Sequence, residues 1–271
     1  MLASKLRLMA VLAHPDDESL GTGGALAKYA AEGVATYLVT ATRGERGRFG
    51  DSKVSPGPEI VGKTREAELL SAAAELGLRE VKFLDYLDGT LDRVDTAEAI
   101  AKIAGHLRRV RPHVVITFGP DGAYGHPDHI AISQLTTAAI VCAADPLFGR
   151  QPALGEPHRV DKLYFIAWST GKWAAYQAAL RKLVFKVDGE ERQAVPWPDW
   201  AITTVVDTSL VWPAVWRAVR CHKTQMTIFS KLEELSEEHQ RSLFGTQEFY
   251  RAFSIVNGGR TQESDLFEGL R

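Results

Sequence analysis

Residues 11–24 read VLAHPDDESLGTGG, the end of an apolar run followed at once by a histidine, a proline and three consecutive carboxylates. The apolar residues 5–13 predict a buried strand, and residues 18–33 predict a helix that ends at Gly33. The alternation continues with strands at 34–42, 81–86 and 113–119 and with helices at 58–77, 95–110 and 126–145. Four strand-then-helix units predict an α/β, Rossmann-like fold, a mostly parallel sheet with helices on both faces.

The pattern becomes less regular after about residue 145. We expect a loop at 146–159, a strand at 161–168, and a Pro- and Trp-rich connection that leads into a strand within 194–210. A helix beginning near Trp212 and a polar helical tail after Ser230 follow. The sequence therefore predicts one domain over 1–271, in which 1–143 carry the functional motifs and 144–271 complete the sheet and the substrate pocket.

Composition limits the classes of function that this chain can have. Of its 271 residues, 45% are hydrophobic and 24% are charged, and the formal net charge is −2. Neither sign of charge forms a long run, so the sequence predicts a small-molecule partner, with no nucleic acid and no anionic membrane surface. Lys5 and Arg7 interrupt the N-terminal apolar stretch, which therefore predicts no membrane insertion. Cys142 and Cys221 lack a CxxC spacing, which fits a cytoplasmic protein.

Charged side chains follow the first and the fourth predicted strands. His14, Asp16 and Asp17 come directly after the first strand. The segment GPDGAYGHPDH, residues 119–129, follows the fourth. In open doubly wound sheets, ligands bind where the strand order reverses, usually between these two strands. A divalent ion there would neutralise carboxylates that are costly to bury together. The two histidines of HPDH lie at i and i+3, and this spacing leaves open which of them binds the metal.

Each of these residues, taken singly, also has a structural interpretation. His14 would be a core histidine with satisfied hydrogen bonds, and Asp16 or Asp17 would be a helix N-cap. His126 and Asp128 would form a turn and a helix cap. Two His-Pro-Asp tripeptides that face each other across one crevice favour a functional site instead.

The motifs AHPDDE at 13–18 and HPDH at 126–129 resemble those of the PIG-L/LmbE-like family of zinc-dependent N-deacetylases, of the N-acetylglucosaminyl deacetylase type. TRGE at 42–45, KTREAE at 63–68 and LDG at 87–89 are also similar to family segments. The resemblance is best over residues 5–143. Further on, CHKTQ at 221–225 is similar, with Thr224 where the family usually carries serine.

The resemblance implies a metal-dependent hydrolase that removes the acetyl group from an N-acetylated amino sugar or a related glycoside, releasing acetate and a free amine. The implied metal ligands are His14, Asp17 and His129. Asp16 is then the general base that takes a proton from the attacking water. His126 stabilises the tetrahedral intermediate or protonates the leaving amine, and Asp128 orients and charges the His126 imidazole. Tyr124 is similar to the family's tyrosine that contacts the oxyanion.

The implied cofactor is Zn²⁺, although histidine and carboxylate ligands also accept Fe²⁺, Co²⁺ or Ni²⁺. The candidate substrate-binding residues, which could line a pocket for hydroxyls or a phosphate, are Arg43, Glu45, Arg65, Asp88 and, by resemblance, His222 at the rim of the site. Glu45 and Arg65 could equally form a salt bridge on a solvated face, Asp88 could form a turn before Gly89, and His222 could simply lie near a helix C-terminus.

Three alternatives remain open at this point. The nearer alternative function is an amidase that cleaves a bulkier amide, such as a thiol-sugar conjugate. A more distant one is a non-enzymatic nucleotide-binding module, suggested by GTGG at 21–24, although Leu26 stands where the third glycine of GxGxxG would be. Tight packing of a helix start explains these glycines better. The third concerns the six tryptophans of the second half, which predict either a core or the interface of a homo-oligomer.

Overall fold

The computed structural model describes residues 6–149, 154–180, 184–187, 189–259 and 261–271. Residue 5 of the first predicted strand and part of the predicted loop at 146–159 lie outside these ranges. The described strands are β1 (Arg7–Leu12), β2 (Ala35–Thr42), β3 (Glu80–Tyr86), β4 (Val114–Phe118), β5 (Lys162–Ile166), β6 (Val184–Val187), β7 (Glu190–Gln193), β8 (Thr204–Asp207) and β9 (Thr246–Ser254). The described helices are α1 (Asp17–Gly21), α2 (Gly23–Ala31), α3 (Pro58–Glu75), α4 (Thr96–Val110), α5 (Gly122–Gly125), α6 (Pro127–Ala144), α7 (Thr170–Leu180), α8 (Trp212–Cys221), α9 (Met226–Glu233) and α10 (Glu237–Phe244).

Seven of these strands form one sheet, in the order β3, β2, β1, β4, β5, β9, β8. The five strands β1 to β5 pair in parallel, whereas β9 pairs antiparallel with both β5 and β8. β1 lies between β2 and β4, so that Leu8 is opposite both Thr36 and Val114. The predicted fold class is confirmed, and so is the predicted reversal of strand order between the first and fourth strands.

The apolar run of β1 explains why this strand lies at the centre of the sheet. Leu8, Met9, Ala10, Val11 and Leu12 are all fully buried, on both faces of the strand. A strand covered on both faces carries a continuous apolar run, as is typical of parallel sheets flanked by helices. The helices pack in two groups. One group contains α4 and α6, and in the other α2 and α3 both pack against α8. The loop after β1 therefore starts from a rigid, deeply buried position.

The helix predicted at 18–33 is two helices, α1 and α2, which meet at Thr22. The glycines of GTGG pack closely against the C-terminal part of the chain. A Cβ added to Gly24 would lie 2.8 Å from the Thr208 side chain, and one added to Gly23 would lie 3.1 Å from Val215. Close packing thus accounts for these glycines without a bound nucleotide.

The C-terminal part joins the same sheet. Two strands and one helix form where they were predicted, namely β5, β8 and α8. The helical tail predicted after Ser230 corresponds to the end of α9 and to α10. The sequence did not predict β9, which inserts between β5 and β8. β6 and β7 form a separate antiparallel hairpin. Within the described ranges, the helices are too short or too polar to cross a membrane.

Candidate metal centre and active site

The sheet brings the two His-Pro-Asp segments together, as predicted. The loop after β1 carries His14, and helix α6, which follows β4, carries His129. The centroids of these two rings lie 5.2 Å apart, although the residues are 115 positions apart in the chain. Both side chains are buried, with 8% of His14 and 2% of His129 exposed. The predicted crevice at the carboxyl ends of β1 and β4 is therefore a real meeting point of the two motifs.

Three side chains in this crevice present metal-ligand atoms to one another. His14 Nδ1 lies 3.3 Å from His129 Nε2, and His129 Nε2 lies 3.4 Å from Asp17 Oδ1. His14 Nδ1 also lies 3.7 Å from the other oxygen of Asp17. A tetrahedral ion with bonds of about 2.0–2.1 Å separates its ligand atoms by about 3.3 Å. The three residues therefore fit a divalent ion with one or more positions left open.

The remaining ring nitrogens of the two histidines are fixed by hydrogen bonds. His14 Nε2 lies 3.1 Å from both Asp88 Oδ1 and Asp128 Oδ2, and His129 Nδ1 lies 3.2 Å from the Gly122 carbonyl oxygen. Because these partners are acceptors, the two histidine atoms are donors, which leaves His14 Nδ1 and His129 Nε2 free to bind metal. Burial alone would lower the pKa of His14, but Asp128 and Asp88 raise it well above its usual value.

A second group of side chains, His14, His126 and Asp128, also lies close enough together to hold an ion. In that group, His14 Nε2 and Asp128 Oδ2 already form a hydrogen bond with each other at 3.1 Å. The group of His14, Asp17 and His129 has no such conflict. At Asp17, burial raises the pKa of the carboxyl, but the two histidines hold it well below the usual range. The predicted ligand set is thus the one that the geometry favours.

The hydrogen bonds described for the carboxylate of Asp128 join it to groups other than His126. It accepts hydrogen bonds from the backbone N–H groups of Gly89, at 2.7 Å, and Leu91, at 3.0 Å, as well as from His14. The Asp128 side chain is fully buried because it points from the start of α6 into the 87–91 loop. Asp128 therefore orients His14. Its charge also opposes the lowering of the His126 pKa, so its expected role toward His126 stays a prediction.

His126 has a different hydrogen bond, which fixes its neutral form. Its Nδ1 atom accepts the backbone N–H of Asp128, at 3.1 Å, as the N-cap of α6. The ring stacks on His129, with centroids 4.7 Å apart. Burial and the neighbouring His14 and His129 lower the pKa of His126 to about 4. The neutral ring therefore carries its proton on Nε2, and this N–H group can donate a hydrogen bond to a substrate.

Tyr124 lies on a short segment with an unusual backbone. Gly122, Ala123 and Gly125 all have positive φ, at 62°, 64° and 73°. The Tyr124 ring is 5.3 Å from the His129 ring and 5.9 Å from that of His126, centroid to centroid. Burial raises the pKa of the Tyr124 hydroxyl, which therefore stays protonated at neutral pH. The segment thus places a hydrogen-bond donor beside the two histidines.

Asp16 lies beside the ligand Asp17 and has the left-handed backbone conformation, with φ at 103°. Such a conformation costs a non-glycine residue on the order of 1–3 kcal/mol, and it persists when surrounding contacts enforce it. Its Oδ2 atom lies 3.2 Å from Nη2 of Arg65, and its side chain remains 17% exposed. Burial raises the pKa of Asp16 to about 6, although Arg65 opposes this shift. A carboxylate with these properties suits a general base near neutral pH.

The candidate substrate-binding residues occupy different positions. Arg43 points away from the centre and pairs with Glu66, at 2.5 Å, and Asp85, at 2.6 Å. Glu45 accepts the backbone N–H of Asp88 at 3.2 Å. Asp88 itself binds His14. Arg43 is therefore outside the cluster, whereas Glu45 and Asp88 support the groups that hold His14.

Arg65 is buried and commits its guanidinium to the loop after β1. Its Nη2 donates to the Pro15 carbonyl at 2.5 Å as well as to Asp16, and its Nη1 donates to the Gly44 carbonyl at 2.8 Å. A Cβ added to Gly44 or Gly47 would overlap this guanidinium, so both positions require glycine. Arg65 thus ties the Asp16 loop to the 44–47 loop.

His222 is fully buried and does not lie at a rim. It occupies the C-cap position of α8, and its Nε2 lies 2.7 Å from Oε1 of Glu18. Two residues further on, Thr224 donates its backbone N–H and its hydroxyl to Glu68, at 2.8 and 2.7 Å. The threonine hydroxyl thus makes a contact that a serine hydroxyl at the same position could make.

Sequence reasoning did not single out Glu18 and Glu68, which hold the 221–225 segment. Both lie inside quoted family segments, Glu18 in AHPDDE and Glu68 in KTREAE, so the segments were the available signal. Both carboxylates are buried, and both bind the 221–225 segment. That segment therefore connects the C-terminal part of the chain to the two motif-bearing elements, the β1 loop and α3.

Comparisons with known proteins show which proteins this chain resembles. Residues 9–140 match the family model of PIG-L, GlcNAc-PI de-N-acetylase. A 1D-myo-inositol 2-acetamido-2-deoxy-alpha-D-glucopyranoside deacetylase from Rhodococcus jostii (strain RHA1) is 33% identical, over 98% of this chain and 99% of its own. The conserved protein TT1542 from Thermus thermophilus has a TM-score of 0.67 and 29% identity, over 93% of this chain and 97% of that one.

A third similarity shows the fold alone. GalB, the 4-carboxy-2-hydroxymuconate hydratase from Pseudomonas putida KT2440, has a TM-score of 0.67 at 21% identity, over 94% of this chain and 99% of its own. The fold by itself therefore does not select the reaction, and the motifs and the whole-length similarity to the Rhodococcus protein carry the assignment. On that basis, this chain belongs to the PIG-L (GlcNAc-PI de-N-acetylase) family.

Proposed function

We propose that the protein is a zinc-dependent N-deacetylase that removes the acetyl group from an N-acetylated amino sugar, with an N-acetylglucosamine linked to an inositol or a similar polyol as its substrate class. The observation that carries this proposal is the buried group of His14, Asp17 and His129, with Asp16 adjacent to it. The name of the Rhodococcus relative supports the substrate class.

Zinc is the proposed ion because two imidazoles and one carboxylate with an open position form a recognised catalytic zinc set. When bound, the ion would polarise the acetamide carbonyl and lower the pKa of a water to about 7. Fe²⁺ or another divalent transition metal would suit the same ligands, since imidazole binds several of these metals and their availability in the cell helps to select among them. Metal analysis of the protein distinguishes these ions.

Asp16 is the proposed general base. It takes a proton from the water that adds to the carbonyl carbon, and its raised pKa matches that task near neutral pH. Arg65 holds Oδ2 of Asp16 and the carbonyl of the preceding residue, Pro15, which fixes the direction of the carboxylate. The proton on Asp16 can then pass to the amine nitrogen as the carbon–nitrogen bond breaks.

His126 and Tyr124 are the proposed oxyanion donors. The cap hydrogen bond on Nδ1 leaves an N–H on Nε2 of His126, and the Tyr124 hydroxyl is protonated. Both donors are in place before the reaction, so they stabilise the negative charge that develops on the carbonyl oxygen without reorganising. Because the pKa of His126 is lowered to about 4, we assign it electrostatic stabilisation and leave proton delivery to Asp16.

The other predicted site residues receive supporting roles in this proposal. Asp128 and Asp88 orient His14, Arg65 orients Asp16, and Glu45 holds the backbone at Asp88. We further propose that the chain is a single catalytic domain, that it acts in the cytoplasm, and that it needs no nucleic acid partner. Light scattering on the purified protein tests whether it is a homo-oligomer.

The experiment that tests this function combines metal content with amine release. Elemental analysis is made on the wild type, on His129→Ala and on His106→Ala, a matched control in which a half-buried histidine of α4 is removed outside the site. Amine release is measured with N-acetylglucosamine, N-acetylglucosaminyl-inositol, and amides with larger acyl groups. We expect about one metal per chain and acetamide hydrolysis in the wild type and in His106→Ala, and loss of both in His129→Ala.

Different results would change the assignment in different ways. Turnover of the larger amides alone would replace the deacetylase with an amidase of bulkier conjugates. Absence of metal after reconstitution with each candidate ion would refute the mechanism as a whole.

A further inference from the structure

A fully buried pair of polar side chains lies next to the backbone of Asp16. Glu18 and His222 are both fully buried, and Glu18 Oε1 lies 2.7 Å from His222 Nε2. The Ser19 hydroxyl donates to the same oxygen of Glu18 at 2.5 Å. The two members of the pair are 204 residues apart, so the fold brings the end of α8 against the loop after β1 for this contact.

The second carboxylate oxygen of Glu18 holds the backbone of Asp16. Glu18 Oε2 accepts the Asp16 N–H at 3.0 Å. On the other side of that residue, the Asp16 carbonyl accepts the N–H groups of Ser19, at 3.1 Å, and Leu20, at 3.0 Å. These contacts hold the backbone of Asp16. Its φ of 103° is unfavourable for a non-glycine residue and persists only where surrounding contacts enforce it.

We propose that Glu18 and His222 form a positioning pair that holds Asp16 in its left-handed conformation and so aims its carboxylate at the attacking water. His222 fixes the rotamer of Glu18, Glu18 fixes the Asp16 amide, and Arg65 fixes the Asp16 carboxylate from the opposite side. This inference rests on the proposed function of Asp16. It assigns to His222 a role in geometry and none in contact with the substrate.

The chemistry of the pair supports this role over simple packing. A buried carboxylate and imidazole are costly to desolvate, and apolar side chains of similar volume would fill the space with equal or greater stability. His222 Nδ1 has no hydrogen-bond partner within the described part of the chain, so the imidazole is not optimally satisfied by its surroundings. A directional contact to Glu18 is what the histidine supplies and what an apolar residue could not supply.

The test uses substitutions that separate direction from bulk. His222→Ala removes the contact, whereas His222→Gln retains a side-chain N–H near the position of Nε2. Thr224→Val is the matched control, since it removes a buried hydroxyl from the same segment and breaks its bond to Glu68 without touching Glu18. Each variant is compared with the full-length, metal-loaded wild type for kcat, KM, metal content and unfolding temperature.

For His222→Ala we expect kcat to fall about 10- to 100-fold with KM and metal content unchanged, since a misplacement near 1 Å of a reacting group costs about this much. His222→Gln should recover most of the loss. Thr224→Val should keep kcat within about twofold even if its unfolding temperature falls as far as that of His222→Ala. The double variant Glu18→Ala/His222→Ala should be no slower than the slower single variant, since both act through one contact.

A second readout does not depend on turnover. In the wild type, the Asp16 amide hydrogen is bonded to Glu18, so NMR should find it protected from exchange with solvent. We expect its exchange to accelerate at least about tenfold in His222→Ala and to stay unchanged in Thr224→Val. This measurement tests the positioning pair even if the wild type hydrolyses none of the amides, a result that would count against the proposed function alone.

Two results would overturn the inference. One is a His222→Ala protein with wild-type kcat and unchanged exchange at Asp16. The other is that His222→Ala and Thr224→Val lose metal, raise KM and lower kcat to the same extent. This result would show that the 221–225 segment only supports the fold.

Discussion

His14 Nε2 lies 3.1 Å from Oδ2 of Asp128, a residue that sequence reasoning had paired with His126. The contact means that the carboxylate of the HPDH motif acts on the histidine of the AHPDDE motif, the proposed metal ligand. The two motifs are thus linked by two contacts, one from His14 Nδ1 to His129 Nε2 and one from His14 Nε2 to Asp128 Oδ2.

Asp128→Asn should weaken metal binding. The amide removes the negative charge that orients His14. Its NH₂ group also opposes either the N–H groups of His14 and Gly89, which share one oxygen of Asp128, or the N–H of Leu91 on the other. Loss of such a supporting carboxylate typically lowers metal affinity about 10- to 100-fold. Competition with a chelator measures the change. Asp92→Asn, an exposed carboxylate in the 91–93 turn, is the control and should bind metal as the wild type does.

Asp16→Asn should abolish catalysis while sparing the metal. Asparagine keeps the shape of the side chain but cannot accept the proton, and general base catalysis contributes about 10²- to 10⁴-fold. Steady-state kinetics and elemental analysis check both halves of the expectation, with Asp207→Asn on the edge strand β8 as the control. A variant with less than a threefold loss of kcat would exclude Asp16 as the base.

His126→Asn should separate the cap from the oxyanion donor. Asparagine can still accept the Asp128 N–H as the N-cap of α6, but it lacks the distal N–H of the imidazole. We expect an unfolding temperature near that of the wild type and a kcat lowered about 10²- to 10³-fold. His126→Ala should lose the cap as well, at about 0.5–2 kcal/mol of stability. Equal kcat in His126→Asn and the wild type would contradict the donor role.

Lys162→Met should destabilise the fold far more than a surface substitution does. Lys162 is fully buried on β5 and donates to Glu263 at 2.7 Å. Removing one partner of a buried ion pair typically costs about 3–5 kcal/mol. We expect the lower end of this range, because Arg251 Nη1 still pairs with Glu263 Oε1 at 2.8 Å. Arg109→Ala, which breaks the exposed pair with Glu80, should cost less than about 1 kcal/mol. Urea unfolding of both variants provides the comparison.

Glu263 should also make stability depend on acid pH. Burial alone would raise its pKa, but hydrogen bonds from Lys162 and Tyr164 lower it from 4.5 to about 2. A carboxyl whose pKa is lower in the folded state stabilises the protein above the unfolded pKa and loses that contribution as the pH falls toward the folded one. The stability difference between the wild type and Glu263→Gln should therefore shrink between pH 4.5 and about 2 in urea unfolding series. A constant difference over this range would contradict the shift.

The sequence was sufficient to predict the meeting of the two motifs. Parallel strands place their carboxyl ends at one edge, and the apolar run before His14 and the VVITF run before the HPDH segment identify β1 and β4 as neighbours of that edge. The three proposed metal ligands come from this arrangement together with the family resemblance, and their role stays a prediction. β9 escaped prediction because its residues 246–254 were interpreted as part of the polar helical tail after Ser230, although Gly245 ends α10 directly before them.

The partners of Asp128 and His222 could not be predicted in the same way. Asp128 is fixed by backbone N–H groups of the 87–91 loop, and backbone donors leave no trace in the residue types. His222 meets Glu18 only after α8 has packed beside α1 and α2, a contact between residues 204 positions apart. Both depend on how elements dock, and local sequence patterns describe only the elements themselves.

The left-handed backbone of Asp16 sets a conflict between evolutionary pressures at one position. Its φ of 103° is a conformation that glycine adopts without penalty, whereas the proposed chemistry requires a carboxylate. Selection for thermal robustness alone would therefore replace the aspartate and yield a sturdier protein without a base. Retention of aspartate at this position would show that selection for catalytic activity outweighed selection for a more stable native state.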